Sequence, residues 1–419
     1  MIRRTVRDVP LVVLALLLSA YGIAMVYSAG VTDPSVRTAA ASVWKQQLVW
    51  FGLGITAAFV VSRLSVRVIE WLTWPAYVFS LLLLVILLVP GLGGGAGTAA
   101  STKSWLVIGG VRLGQPAELA KLTVVLMLAR VLAQRREPPT SLLDLWKPAL
   151  VVGIPWLLIM AQPDLGSGLV FIGIFFALLF WAGVPWQLLV LLASPVVSLV
   201  LSFSVELWGA WFLLLLALVL WYKPYLVEGV VLVVANVVMG VVAPILWDSL
   251  APYQQKRLLV FLDPQADPRG AAYHVIQSQT AIGSGGMFGA GWTQGPQKRL
   301  AFLPEQQTDF IFAVVGEELG FVGVTVALGL FLVLFLRIVR IAQRANEPFS
   351  GLVAFGLLAS WFVHVLVNIG MTVGVMPITG IPLPFFSYGG SFMLASWLAI
   401  GVLVRISAEG RGKLGHLRI

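Results

Sequence analysis

Cysteine is absent from the 419 residues, which removes disulfides, zinc-thiolate sites and cysteine nucleophiles from consideration. Histidine is scarce: His274, His364 and His416 are the whole complement, too few for a histidine-rich metal site. Charge is scarce too, at 11% of residues, where soluble domains carry roughly 25%. What fills the chain instead is apolar, 59% hydrophobic with a mean hydropathy of +0.96. That composition excludes an ordinary soluble domain and predicts an integral membrane protein with many spans. The net charge of +9 does not point to nucleic acid. The positive residues sit in short loops between apolar runs, as topology signals do.

A membrane-spanning helix needs about 20 apolar residues. Runs that qualify or come close are 9–29, 46–63, 70–90, 117–134, 148–163, 167–184, 186–205, 207–222, 227–247, 309–338, 351–375 and 390–407. The expected fold is therefore an all-α polytopic bundle of 10–12 transmembrane helices, a single transmembrane domain over 1–419. The first run is longer than the core of a cleavable signal peptide and reads as a retained helix. Most Lys and Arg residues fall on the side of Arg3, Arg63, Arg130, Arg337 and Arg405, which predicts both termini in the cytoplasm. On the opposite side lie three unusual segments: 91–116, rich in glycine and then amphipathic; 248–308, a large extracytoplasmic loop; and 376–390, MPITGIPLPFFSYGG, with three prolines. Irregular backbone near a membrane survives only where protein or a wet cavity satisfies it, so all three are expected to line an outward-facing cleft.

Charges inside apolar runs are costly and default to function. Glu118 and Lys121 lie three apart after Gln115-Pro116, so the acid and the amine share one helix face. Either they neutralise each other so that the helix inserts, or the lysine meets a phosphate while the glutamate holds it. Asp164, in QPDLGSG, is a turn residue or faces a cavity. Asp309 stands between Thr308 and an apolar run that carries Glu317 and Glu318. It is a helix cap or a general base. For the base, the helix dipole would lower the carboxyl pKa and desolvation would raise it. The loop around Lys298 and Arg299 reads as a solvated loop or an electropositive surface for a pyrophosphate. The glycines of GSGGMFGAG (283–291) suit backbone contacts to phosphate or a tight turn. His364 and Asn368, one turn apart, read as interhelical hydrogen-bonding residues.

The stretches LDPQADPRGAAYHVIQSQTAIGSGG (262–286), FLPEQQTDFIFAVVGEELG (302–320) and NIGMTVGVMPITGIPLPFFSYGGS (368–391), with WLVIGG…QPAELAKL (105–122) and QPDLGSG (162–168), resemble the SEDS family of bacterial cell-wall proteins. AYHVIQS followed by AIGSGG is closer to the RodA branch of that family than to the FtsW branch, while QKRLAFLPE has an FtsW look. The resemblance implies a peptidoglycan glycosyltransferase that polymerises lipid II at the outer face of the bacterial cytoplasmic membrane for cell elongation. Its implied partners are a class B penicillin-binding protein and the elongation machinery, with no nucleic acid. It implies Asp309 as the catalytic residue, and places Trp105, Glu118, Lys121 and Asp164 at other functional positions. Gln115, Lys298, Arg299 and Ser387 complete the expected substrate-binding set. The sequence requires no cofactor and offers no protein metal site; a divalent cation, Mg or Mn, would be a further aid.

The chain departs from the family pattern in two places. Ala272 stands where glycine is usual before Tyr273-His274. Four apolar runs lie between QPDLGSG and the large loop where two are expected, which predicts either an extra helical hairpin within 186–247 or two weak runs that form one broken helix pair. A lipid II flippase is the competing reading, since the same cleft and charges would serve it. Transport, however, asks for charge along a path to both faces, and apart from Arg130 the run 117–134 has none inward of Lys121.

Overall fold

The computed structural model describes residues 8–32, 42–89, 91–94, 104–109, 111–250, 252–263, 267–268, 270, 272–300, 302 and 305–414. Arg3 and His416, which entered the sequence argument, lie outside the described residues. In chain order the elements are α1 (Val9–Gly30), α2 (Val43–Arg63), α3 (Val66–Ile86), β1 (Gly93–Gly94), β2 (Trp105–Ile108), β3 (Val111–Gly114), α4 (Pro116–Ala133), α5 (Trp146–Met160), α6 (Leu165–Trp181), α7 (Trp186–Leu201), α8 (Val205–Tyr222), α9 (Leu226–Ser249), α10 (Pro252–Leu262), α11 (Tyr273–Ser284), α12 (Pro296–Arg299), α13 (Ile311–Gln343), α14 (Pro348–Thr372) and α15 (Gly390–Leu414). Each of the twelve expected spans overlaps one helix. Among the described residues, eight helices are long and apolar enough to cross a membrane unaided. Helices α6 and α7 are apolar but short. Helices α2 and α4 carry charges that the bundle buries or that lie at their ends. The chain is a multi-pass membrane protein, nearly all helical.

Local chemistry sets the helix starts. Asp8 caps α1 by accepting from Leu11 N, Ser65 caps α3 through Val68 N, and Ser204 caps α8 through Leu207 N. Prolines 75, 155, 195 and 244 lie inside helices, as membrane neighbours allow. Burial sorts the bundle. The most apolar stretch of α14 is 72% buried and that of α15 67%, against 6% for α8. So α14 and α15 form the centre, with α1, α4, α6 and α13 around them, and α8 shows its sides to lipid.

Helices α7, α8 and α9 enclose a cluster of their own, Leu191, Leu215 and Leu232. A buried polar net staples it. Asn236 Nδ2 donates to Ser194 Oγ at 2.8 Å, Ser198 Oγ donates to Asn236 Oδ1 at 2.6 Å, and Trp211 Nε1 donates to Ser198 Oγ at 3.1 Å. Interhelical hydrogen bonds in membranes are worth about 0.6–2 kcal/mol. Asn236→Ala should lower stability by about 1–2 kcal/mol, read as a lower melting temperature in detergent. A shift within error would mean the net adds nothing to the packing.

The segment expected as a large loop, 248–308, is mostly folded. It holds α10, α11 and α12, which were too short and too mixed in polarity to announce themselves. The segment 91–116 contributes a small antiparallel sheet, β1 to β2 to β3. The run 309–338, expected as one span, is a broken helix. Gly320 has φ 63° and ψ −159°, a conformation open to glycine alone. The turn after α11 wedges into the break. Phe321 N and Val322 N donate to Gly286 O and Met287 O, while Glu317 O and Glu318 O accept from Ala290 N and Gly291 N. A Cβ at Gly289 would stand 2.1 Å from Glu318 O. Gly285 and Gly289 therefore serve close backbone packing, in keeping with the tight-turn reading of 283–291.

Candidate active site

The segment 376–390 is the hub of the site end. Its backbone is irregular, so its polar groups need partners from the bundle, and the buried polar residues of the surrounding helices supply them. Asn368 on α14 donates to Asp309 O at 2.9 Å and to Ile381 O at 2.8 Å. Ser387 Oγ donates to Thr308 O at 2.6 Å and accepts from Leu383 N. Gln47 on α2 donates to Ser387 O, and Tyr388 N donates to Gln307 O. Asp309 is thus held from both sides of its own peptide. Burial pushes the Tyr388 phenol above its usual pKa, and its hydroxyl donates to Gln46 Oε1.

Asp309 is half-buried. Helix α13 opens at Ile311 with Phe310 in the cap position, so Asp309 stands one residue before it. Its carboxylate faces Gly380, where a Cβ would lie 3.2 Å from Asp309 Oδ2. Gly380 has φ 71°, the left-handed region where glycine is free of penalty. Phe310 stacks on His274 of α11 with ring centroids 5.8 Å apart, which joins the folded outer segment to the site.

The second part of the site is buried charge. Lys121 Nζ lies 2.8 Å from Glu118 Oε1 and 2.9 Å from His364 Nε2, and its side chain is 3% exposed. A lysine ammonium only donates, so His364 Nε2 accepts. Nδ1 then carries the proton and donates to Pro382 O at 2.9 Å. His364 also stacks on Phe392 at 4.6 Å. An unbroken chain of contacts thus runs from Glu118 through Lys121 and His364 to the 376–390 segment, and on through Asn368 to Asp309. The cavity beside Lys121 measures about 20 Å³, room for one water and not for a phosphate. In this arrangement Lys121 is paired with Glu118, as the neutralising reading had it, and no phosphate-sized space adjoins it.

Gln115 leaves β3 and places Pro116 at the first turn of α4, where a missing N–H costs nothing. Its side chain donates to Asp164 Oδ2 at 3.1 Å, and its N–H donates to Ser391 Oγ. Asp164 caps α6 through Ser167 N at 3.0 Å. Trp105 is half-buried on β2.

Two expected residues, Ser387 and Lys298, are placed otherwise than the sequence suggests, and a third, Arg299, is placed as expected. Ser387, expected to bind substrate, has its hydroxyl occupied by Thr308 and Leu383, so it positions Asp309. Lys298 is fully buried and ion-paired with Glu318 at 2.9 Å, which removes it from any surface that meets a ligand. Arg299 is exposed at the end of α12 and makes no ion pair among the described residues. Among the described residues no three His, Asp or Glu side chains gather as a metal site, so a cation has no protein ligand set assigned to it. Sequence reasoning gave His364 and Asn368 only as interhelical glue. Their one-turn spacing was visible, but not the segment they both hold.

A family model for the FtsW/RodA/SpoVE cell cycle proteins matches residues 9–210 and 209–412. The peptidoglycan glycosyltransferase MrdB of Escherichia coli K12 is 35% identical over 399 residues, covering 94% of this chain and 91% of that protein. Stage V sporulation protein E of Bacillus subtilis is 36% identical, covering 98% of this chain and 99% of its own. A solved chain from a peptidoglycan synthase complex that coordinates polymerization and crosslinking superposes with a TM-score of 0.69 at 31% identity, covering 97% of this chain and 98% of that one.

Proposed function

The chain belongs to the FtsW/RodA/SpoVE family, and from that premise we propose that it is a peptidoglycan glycosyltransferase that polymerises lipid II at the outer face of the bacterial cytoplasmic membrane, both termini inside, for cell elongation. The observation that carries this reading is the held but half-exposed carboxylate of Asp309. The main chain that bears it is tied to the 376–390 segment and to α14, because Asn368 donates to Asp309 O and Ser387 donates to Thr308 O. Fixed placement of a base is what proton transfer in a transition state demands.

In this mechanism Asp309 takes the proton from the 4-hydroxyl of an acceptor N-acetylglucosamine. The oxygen attacks the anomeric carbon of the donor N-acetylmuramic acid with inversion, and undecaprenyl pyrophosphate leaves. Exposed cations such as Arg299 stabilise the departing charge. The source of the superposed chain, a complex that also crosslinks, supports a class B penicillin-binding protein as partner.

The direct test is glycan formation from lipid II by the purified protein, with and without its cognate penicillin-binding protein. Polymer supports the enzyme. No polymer even with the partner, together with transbilayer movement of lipid II in liposomes, would replace this reading with a flippase.

Gly380 offers a finer check. Gly380→Ala puts a methyl against Asp309 Oδ2, and a displacement of about 1 Å costs on the order of 10²-fold in rate. The variant should lose between about tenfold and a hundredfold in kcat with KM little changed. An unchanged kcat would show that the carboxylate has slack at this point.

A further inference from the structure

At the end of α13 opposite Asp309, three arginines converge on one cavity. Arg337, Arg340 and Arg344 line a space of about 110 Å³ closed by Ile406, Ser407 and Gly410 of α15. The spacing puts them on one helix face. Gly410 lets α15 come close enough to floor the cavity, since a Cβ there would lie 2.8 Å from Arg344 O. Arg337 is already matched: its Nε and Nη2 donate to Asp8 Oδ1 and Oδ2 at 2.8 and 2.9 Å, and Ser407 donates to the same carboxylate. Arg340 and Arg344 make no ion pair among the described residues, and both are exposed. Among the described residues, the cavity therefore carries two guanidinium groups with no ion-pair partner.

We infer that this cavity binds the phosphodiester headgroup of an anionic phospholipid. Guanidinium forks match phosphate oxygens two at a time, and the volume suits a phosphate group. The lipid source follows from the rest of the helix. Leu332, Val333 and Leu336 form an exposed apolar stripe on α13 that leads to Arg340 and Arg344. Acyl chains along that stripe would put the headgroup at the arginines. Positive residues that only set topology need no shared concavity; these share one.

The test titrates the detergent-purified protein with dioleoylphosphatidylglycerol against dioleoylphosphatidylcholine and reads retained lipid by native mass spectrometry. An arginine near an anionic lipid is worth about fivefold in binding, so two are worth roughly 30-fold. Wild type should prefer phosphatidylglycerol, and Arg340→Gln/Arg344→Gln should lose that preference by roughly 30-fold with an unchanged melting temperature. Arg63→Gln/Arg67→Gln removes two exposed arginines from the same end without touching the cavity, and should keep the preference. Equal loss in both double variants would mean diffuse surface charge and overturn the site. So would a wild type with no preference. Displacement of the lipid by glycerol phosphate at equal concentration would assign the cavity to a soluble phosphate and overturn the lipid.

Discussion

Asp309→Asn should lower glycan polymerisation by roughly 10²–10⁴-fold, the range that a positioned general base contributes. The substitution keeps the shape of the side chain and leaves intact the backbone bonds that hold it, Asn368 to Asp309 O and Ser387 to Thr308 O. Melting temperature and lipid II binding should therefore stay near wild type, and the loss should fall on kcat. Product length on a gel after fixed times reads the rate directly. Wild-type kcat in the asparagine variant would remove Asp309 as the base. A proportional fall in stability would mean instead that the carboxylate holds the loop. Asp309→Glu separates the two further: it keeps the base but moves it by about one methylene, so it should retain measurable activity.

How much of this site was legible in the sequence depends on distance along the chain. Glu118 and Lys121 were readable as a pair because a helix fixes what is three residues away, and the structure pairs them at 2.8 Å. Asp309 stood out because a carboxylate at the edge of an apolar run needs a reason. His364 meets Lys121 across 243 positions, and no local pattern announces such a contact. Proline and glycine marked 376–390 as irregular, but nothing in them said that α2, α14 and the turn before α13 would each supply a partner. The helix break at Gly320 was hidden for the opposite reason. Hydropathy runs through it without a pause, and only the backbone exchange with 286–291 shows that the apolar run is two helices. In 248–308, short helices of mixed polarity look like loop, because they owe their order to packing and not to length.

The paired carboxylates of Glu317 and Glu318 gave the largest surprise, and they carry the second large prediction. They are adjacent in sequence but serve different partners. Glu317 caps α12, accepting from Gln297 N at 2.6 Å and Lys298 N at 3.3 Å. Glu318 pairs with Lys298 Nζ, which also donates to Ser28 O on α1 at 2.8 Å. With both side chains fully buried, removing one partner strands the other charge, at about 3–5 kcal/mol. Lys298→Met should therefore melt far below wild type and lose activity, since α12 loses its ties to Ser28 of α1 and Glu318 of α13. Adding Glu318→Met removes the stranded charge, and an apolar pair of similar volume is often neutral or better, so stability should return. Activity then decides what Lys298 is for. If the lysine only fastens the outer segment, the double variant polymerises. If it stabilises a departing pyrophosphate, as its sequence context suggested, the double variant is stable and inactive. The burial of Lys298 favours the first outcome.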